Sequence, residues 1–75
     1  MTRRFFRAEL TDRDGEAHAY DFAALTLWAV ATHVAVRMGL DGDFYGHKPE
    51  ATIGLAVSEL AAAPPGHLIE IEGNK

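Results

Sequence analysis

The chain has 75 residues, of which 48% are hydrophobic and 24% charged, and a formal net charge of -4. That is one domain's worth of chain: folding at this size buries only about 60% of the unfolded surface, so the core is near the practical minimum and a second chain could extend it. With no cysteine, disulfides, thiolate metal sites and cysteine nucleophiles are excluded, and the composition lacks the low hydrophobicity of a disordered chain.

The charge is unevenly spread. Residues 1–13 hold four arginines against Glu9 and Asp12, whereas residues 14–75 hold Arg37, Lys48 and Lys75 against nine acids. Direct nucleic-acid binding needs Lys and Arg to neutralise phosphates, so the acidic body argues against it. It suits instead a solvated surface or one that meets a basic partner. Glu9, Asp12 and Asp14 stand where a secretory leader would be apolar, and the apolar run 22–36 is shorter than the about 20 residues of a membrane span. The expectation is a cytoplasmic protein.

Residues 3–22 read as a β-hairpin. Asp12-Arg13-Asp14-Gly15 suits a type I turn with a left-handed glycine, the three-residue loop with a G1 bulge. That turn sets Phe6 opposite Phe22, Ala8 opposite Tyr20 and Leu10 opposite His18 on one face, with Arg7 facing Asp21 on the other. Arg3, Arg4 and Arg7 around Phe5 and Phe6 imitate the cation and aromatic interleaving of single-strand binders, but also suit an edge strand guarded by charge.

Residues 21–39 read as one long helix, helical over 22–38, with Asp21 as N-cap, Tyr20 and Leu25 as a hydrophobic staple, and Arg37 then Gly39 as the stop. At 100° per residue Ala24, Leu27, Trp28, Ala31, Val34, Ala35 and Met38 share an inward face, and Thr26, His33 and Arg37 lie opposite. Leu25, Ala29, Val30 and Val36 flank the polar stripe, more apolar than a lone sheet requires. The helix's shoulder, Leu25, Val30 and Val36, is therefore a candidate partner contact.

Residues 39–51 read as a loop, long enough to be a place to look for a site. Its Asp41, Asp43, Phe44 and Tyr45 complete the candidate partner surface, with the two aromatics expected to tuck under the sheet. Residues 52–60 fit a strand or a helix; Gly54 and the β-branched residues favour the strand. The prolines of AAAPPGH make a turn into a last strand, 67–72. The fold class that follows is α+β in the order ββαββ, a four-stranded antiparallel sheet with one helix on one face.

Catalytic chemistry finds little foothold. Ser58, the only serine, lacks a nucleophile elbow, and Thr2 is not N-terminal unless Met1 is removed. Glu70 and Glu72 alternate onto one strand face, where acids are ordinarily solvated. No glycine-rich loop precedes a helix in the phosphate-binding pattern. The loop DGDFYGH opens like a calcium loop, but Tyr45 and Thr52 occupy the fifth and twelfth ligand positions. His18, His33, His47 and His67 share no ligand spacing and lie on different elements.

These readings lead to a small, acidic, non-enzymatic protein that binds a protein partner or itself, with no cofactor, no metal and no membrane. In size and charge it resembles the small phage-encoded inhibitors of bacterial defence, anti-CRISPR proteins among them. That likeness implies an acidic surface set against a nucleic-acid-binding complex and transfers no residue. The alternative is a metal-binding or enzymatic domain with Asp41, Asp43 and His47 in the loop as its site.

Overall fold

The structure, a computed structural model, describes residues 3–40 and 42–71. Strands β1 (Arg4–Asp12) and β2 (Ala17–Ala24) form the hairpin in the expected register, Phe6 with Phe22, Ala8 with Tyr20 and Leu10 with His18. The turn closes through Asp12 N–H to Glu16 O, 2.8 Å, and Gly15 N–H to Asp12 O, 3.0 Å. Gly15 has φ 89°, a conformation open to glycine at no steric cost. Alternation then buries Phe6, Ala8, Leu10 and Phe22 on one face.

The helix, α1, spans Leu27–Gly39 rather than 22–38. Asp21 does not cap it. Its carboxylate is held across the hairpin by Arg7, Nε to Oδ1 at 2.7 Å, and β2 continues through Phe22 to Ala24 because Phe22 has a place in the core. The cap is Thr26, whose extended backbone and Oγ1, accepting from Ala29 N–H at 3.1 Å, satisfy a first-turn amide. Tyr20 lies in β2 and makes no staple. Arg37 is in the last turn as expected, while Gly39 is the last helical residue and Leu40 the C-cap.

The helix is also rolled by roughly a quarter turn from the expected orientation, at 100° per residue. Val30 and Val34 are its buried residues, with Ala29 and Met38 partly covered. Leu27, Trp28, Ala31 and Ala35, expected inside, are exposed; Trp28 is 74% exposed. His33 and Arg37, expected outside, are half-buried. The cause is residues 42–48, which fold over that flank and insert Phe44 into the core.

A 3-10 turn, Pro49–Ala51, leads into β3 (Thr52–Leu60), so the strand reading of 52–60 holds. β3 pairs antiparallel with the free side of β1, making β1 central rather than an edge, and a bulge at Thr11/Asp12 interrupts the register. The expected all-antiparallel sheet is instead mixed, in the order β3-β1-β2-β4: β4 (Ile69–Glu70) runs parallel to β2. Residues 61–68 make no hairpin. β3 ends beside Phe5 and Phe6, and β4 starts beside Phe22, the partner of Phe6 across the hairpin, so the connection only crosses one end of the sheet. The three strand spacings between them are about 14 Å, well within the reach of eight extended residues. Glu72 lies outside the described residues.

The cap assignment has a direct test. Thr26→Ala is expected to cost about 1 kcal/mol in urea unfolding, and Thr26→Asp to restore it. An alanine variant as stable as its parent would remove Thr26 as the cap.

Candidate functional site

Two places stand out, on opposite flanks of α1. The first is built by the tetrad Phe44-Tyr45-Gly46-His47. Phe44 N–H and His47 N–H each donate to the other's carbonyl at 2.9 Å, and Tyr45 (φ 49°) and Gly46 (φ 95°) take the positive φ values of a type I′ turn. Asp43 supports the turn by accepting from Gly46 N–H, 3.1 Å. This tiny hairpin carries Phe44 and His47 opposite one another. Phe44 is fully buried, stacked on Phe22 at 6.3 Å and edge-on to Tyr20 at 5.3 Å. Tyr45 lies over the Arg37 guanidinium at 4.5 Å and beside Tyr20.

His47 thereby reaches the end of the first hairpin. Asp12 and His18 are diagonal neighbours there, since His18 is opposite Leu10 and Asp12 follows Leu10 on the same face. His18 Nε2 is 3.0 Å from Asp12 Oδ2, and His47 Nδ1 is 3.5 Å from Asp12 Oδ1. One carboxylate thus faces two imidazoles, whose ring centroids are 4.3 Å apart. The other nitrogen of His47, Nε2, is hydrogen-bonded to Tyr20 OH. Burial, reinforced by the charges of Asp12 and Asp43 and by Tyr45, raises the Tyr20 pKa and keeps its phenol protonated.

The second place is an open groove of about 340 Å³ between Val34, Ala35 and Met38 of α1 and residues 52–55, with Pro49 at one end. The helix lies close to β2 and to the start of β3, and the groove opens where it leaves β3. Ile53 is 63% and Leu55 51% exposed, although Leu55 is opposite the fully buried Leu10. Trp28 and Ala31 continue the same helix flank, seven and four residues before Ala35. The far side of β3 pairs with no described strand.

The predicted partner residues separate. Val30 and Phe44 are fully buried, which takes them out of any surface contact in this fold. Leu25 and Asp43 are half-buried, Val36 and Tyr45 exposed, and Asp41 is outside the described residues. Of the predicted metal trio, His47 meets Asp12 and His18 while Asp43 serves the turn, so histidines on different elements do assemble. The hairpin register alone brings His18 to Asp12; no sequence signal placed His47 beside them.

The arginines are also accounted for. Arg3 meets Glu70 at 3.3 Å, Arg4 meets Glu59 at 2.8 Å and Arg7 meets Asp21 at 2.7 Å. Arg3 also donates to Ala23 O and Ile71 O. All three cations flanking Phe5 and Phe6 are thus committed within the chain. Among the described residues no helix is long and apolar enough to cross a membrane.

No protein-family model, curated protein or solved structure matches the chain.

Two outcomes follow from this geometry. Phe44→Ala is expected to destabilise by about 3 kcal/mol or more, as loss of a buried phenylalanine does; a near-neutral effect in urea unfolding would show that the tetrad is not part of the core. His33 is packed between Phe22 and Phe44, and this burial, with the Arg37 charge, lowers its pKa below 6.5. The folded state favours the neutral ring, so its contribution is complete above about pH 6.5 and is lost as pH falls through the lower folded value. His33→Gln is expected to flatten the stability profile in that window. The Glu59 contribution, whose pKa the Arg4 hydrogen bond lowers from 4.5, is lost only at more acid pH. Equal slopes for parent and His33→Gln just below pH 6.5 would contradict the burial of a neutral His33.

Proposed function

We propose that the chain is a small non-enzymatic interaction protein that pairs with a second copy of itself through the free edge of β3 and the adjoining flank of α1. The observation that carries this reading is the edge itself: nine residues long, apolar, without Pro or Lys, and bordered by an open groove. Folded monomers blunt such edges with charge, proline or a covering element. The only charge on β3 is Glu59, and Arg4 of the same chain already neutralises it.

The edge is self-complementary. The Asp12–Glu16 hydrogen bond fixes the alternation, so even residues of β1 bond to β2 and odd ones to β3. By the register of Arg7 with Ser58, the even residues of β3 bond to β1, and the backbone groups of Leu55, Val57 and Glu59 point outward. Antiparallel pairing about Ala56 sets Leu55 of each copy against Val57 of the other and satisfies these groups across a two-fold axis. Trp28, Ile53 and Leu55 are the large exposed apolar side chains of this edge and of the helix flank next to it. An exposed Trp alone offers on the order of 200 Å² towards the about 800 Å² per partner of a standard interface.

The reading as an acidic inhibitor of a nucleic-acid-binding complex has less support, because Asp21, Glu59 and Glu70 are tied to arginines of the same chain.

Sedimentation velocity at about 100 µM is expected to show a dimer, which Trp28→Glu or Leu55→Lys converts to a monomer with unchanged circular dichroism. A monomeric parent at that concentration would overturn the homodimer.

A further inference from the structure

We propose that Asp12, His18 and His47 form a binding site for a divalent transition-metal ion of the zinc class. Each of the three residues has one ligand atom within 4.8 Å of those of the other two. The two carboxylate contacts, 3.0 and 3.5 Å, bracket the about 3.3 Å that separates ligands around a tetrahedral zinc with bonds of about 2.0 Å. The two contacts use different oxygens of Asp12, so binding one ion requires that carboxylate to turn and the side chains to close in from a spacing of at most 4.8 Å.

The donor set selects the ion. Two imidazoles and one carboxylate suit zinc and its neighbours, whereas calcium and magnesium demand oxygen ligands throughout. Three protein ligands leave a fourth position, which water can fill from the half-exposed side of Asp12 and His18. The most buried ligand is His47, whose side chain is only 10% exposed. Its ring is oriented by the hydrogen bond between Nε2 and Tyr20 OH, which leaves Nδ1 directed at Asp12. A metal-bound Nδ1 places the proton on Nε2, where it donates to the phenol oxygen, the usual arrangement behind a ligating histidine. Without an ion His18 pairs with Asp12 and His47 with Tyr20, so the hairpin has side-chain contacts of its own. The exposed acids Asp14 and Glu16 lie beside the turn, within ligand reach of Asp12, and raise the local concentration of cations.

The test is calorimetric titration of the full chain with ZnCl₂, checked by Co²⁺ absorption. One Zn²⁺ per chain with micromolar or tighter affinity is expected, with tetrahedral Co²⁺ bands that Zn²⁺ abolishes and excess Mg²⁺ does not. His18→Ala and Asp12→Asn are each expected to weaken binding at least tenfold, Tyr20→Phe to weaken it about tenfold through the orientation of His47, and His67→Ala to leave it unchanged. Absence of stoichiometric Zn²⁺ binding by the parent overturns the proposal whatever the variants do. Parent-like affinity in folded His18→Ala and Asp12→Asn overturns it equally.

Discussion

The constraint on which the rest of this structure depends is the insertion of Phe44 beside Phe22 under α1. A four-stranded sheet with one 13-residue helix on it provides a small core, and a loop aromatic supplies one of its three largest fully buried side chains. Because Phe44 enters from the β2 side, α1 turns His33 and Arg37 towards the loop and lifts its Trp28, Ala31 and Ala35 flank away from the sheet. The same tetrad sets His47 against Asp12. One buried ring thus determines the helix's roll, the apolar groove on its far side and the convergence of two histidines on one carboxylate.

Local chemistry made the hairpin legible in the sequence. Asp-Arg-Asp-Gly favours one loop geometry, and its register is the one that sets Phe6 opposite Phe22, so the pairing of residues distant in sequence follows from the turn. The helix start was not legible in the same way. Asp21 and Thr26 are both good caps, and the choice between them belongs to Arg7 and to the core's demand for Phe22, both contributed from β1. The parallel β4 was hidden for a similar reason: two prolines forbid ladder pairing but do not say whether the chain turns back or crosses the sheet's end.

The helix face shows where periodicity stops being informative. Leu27, Trp28, Ala31, Val34, Ala35 and Met38 do form an apolar stripe, as the 3.6-residue period implies. What the period cannot supply is which surface covers that stripe. In the folded chain the sheet takes only its Val34 and Met38 margin, because the loop's aromatic cluster provides better cover for the other side, including the half-polar His33 and Arg37. The apolar excess therefore moves from Val30, which is core, to Trp28 and the β3 groove.

The arrangement of charge bears on the same surface. The arginines of β1 and the residue before it are each drawn to an acid on a different strand: Arg3 to β4, Arg4 to β3 and Arg7 to β2. Such half-exposed pairs contribute little stability singly. Their consequence is in what they leave uncharged. Arg4 holds the carboxylate of Glu59 at the end of β3, so the length of the strand that would otherwise repel a second copy is electrically neutral. The residual negative charge includes Asp12, Asp14 and Glu16 at the hairpin turn, where the histidine cluster is, and β3 carries no other acid. A chain with net charge -4 can in this way keep an apolar edge fit for pairing, because its charge and its edge occupy different parts of the molecule.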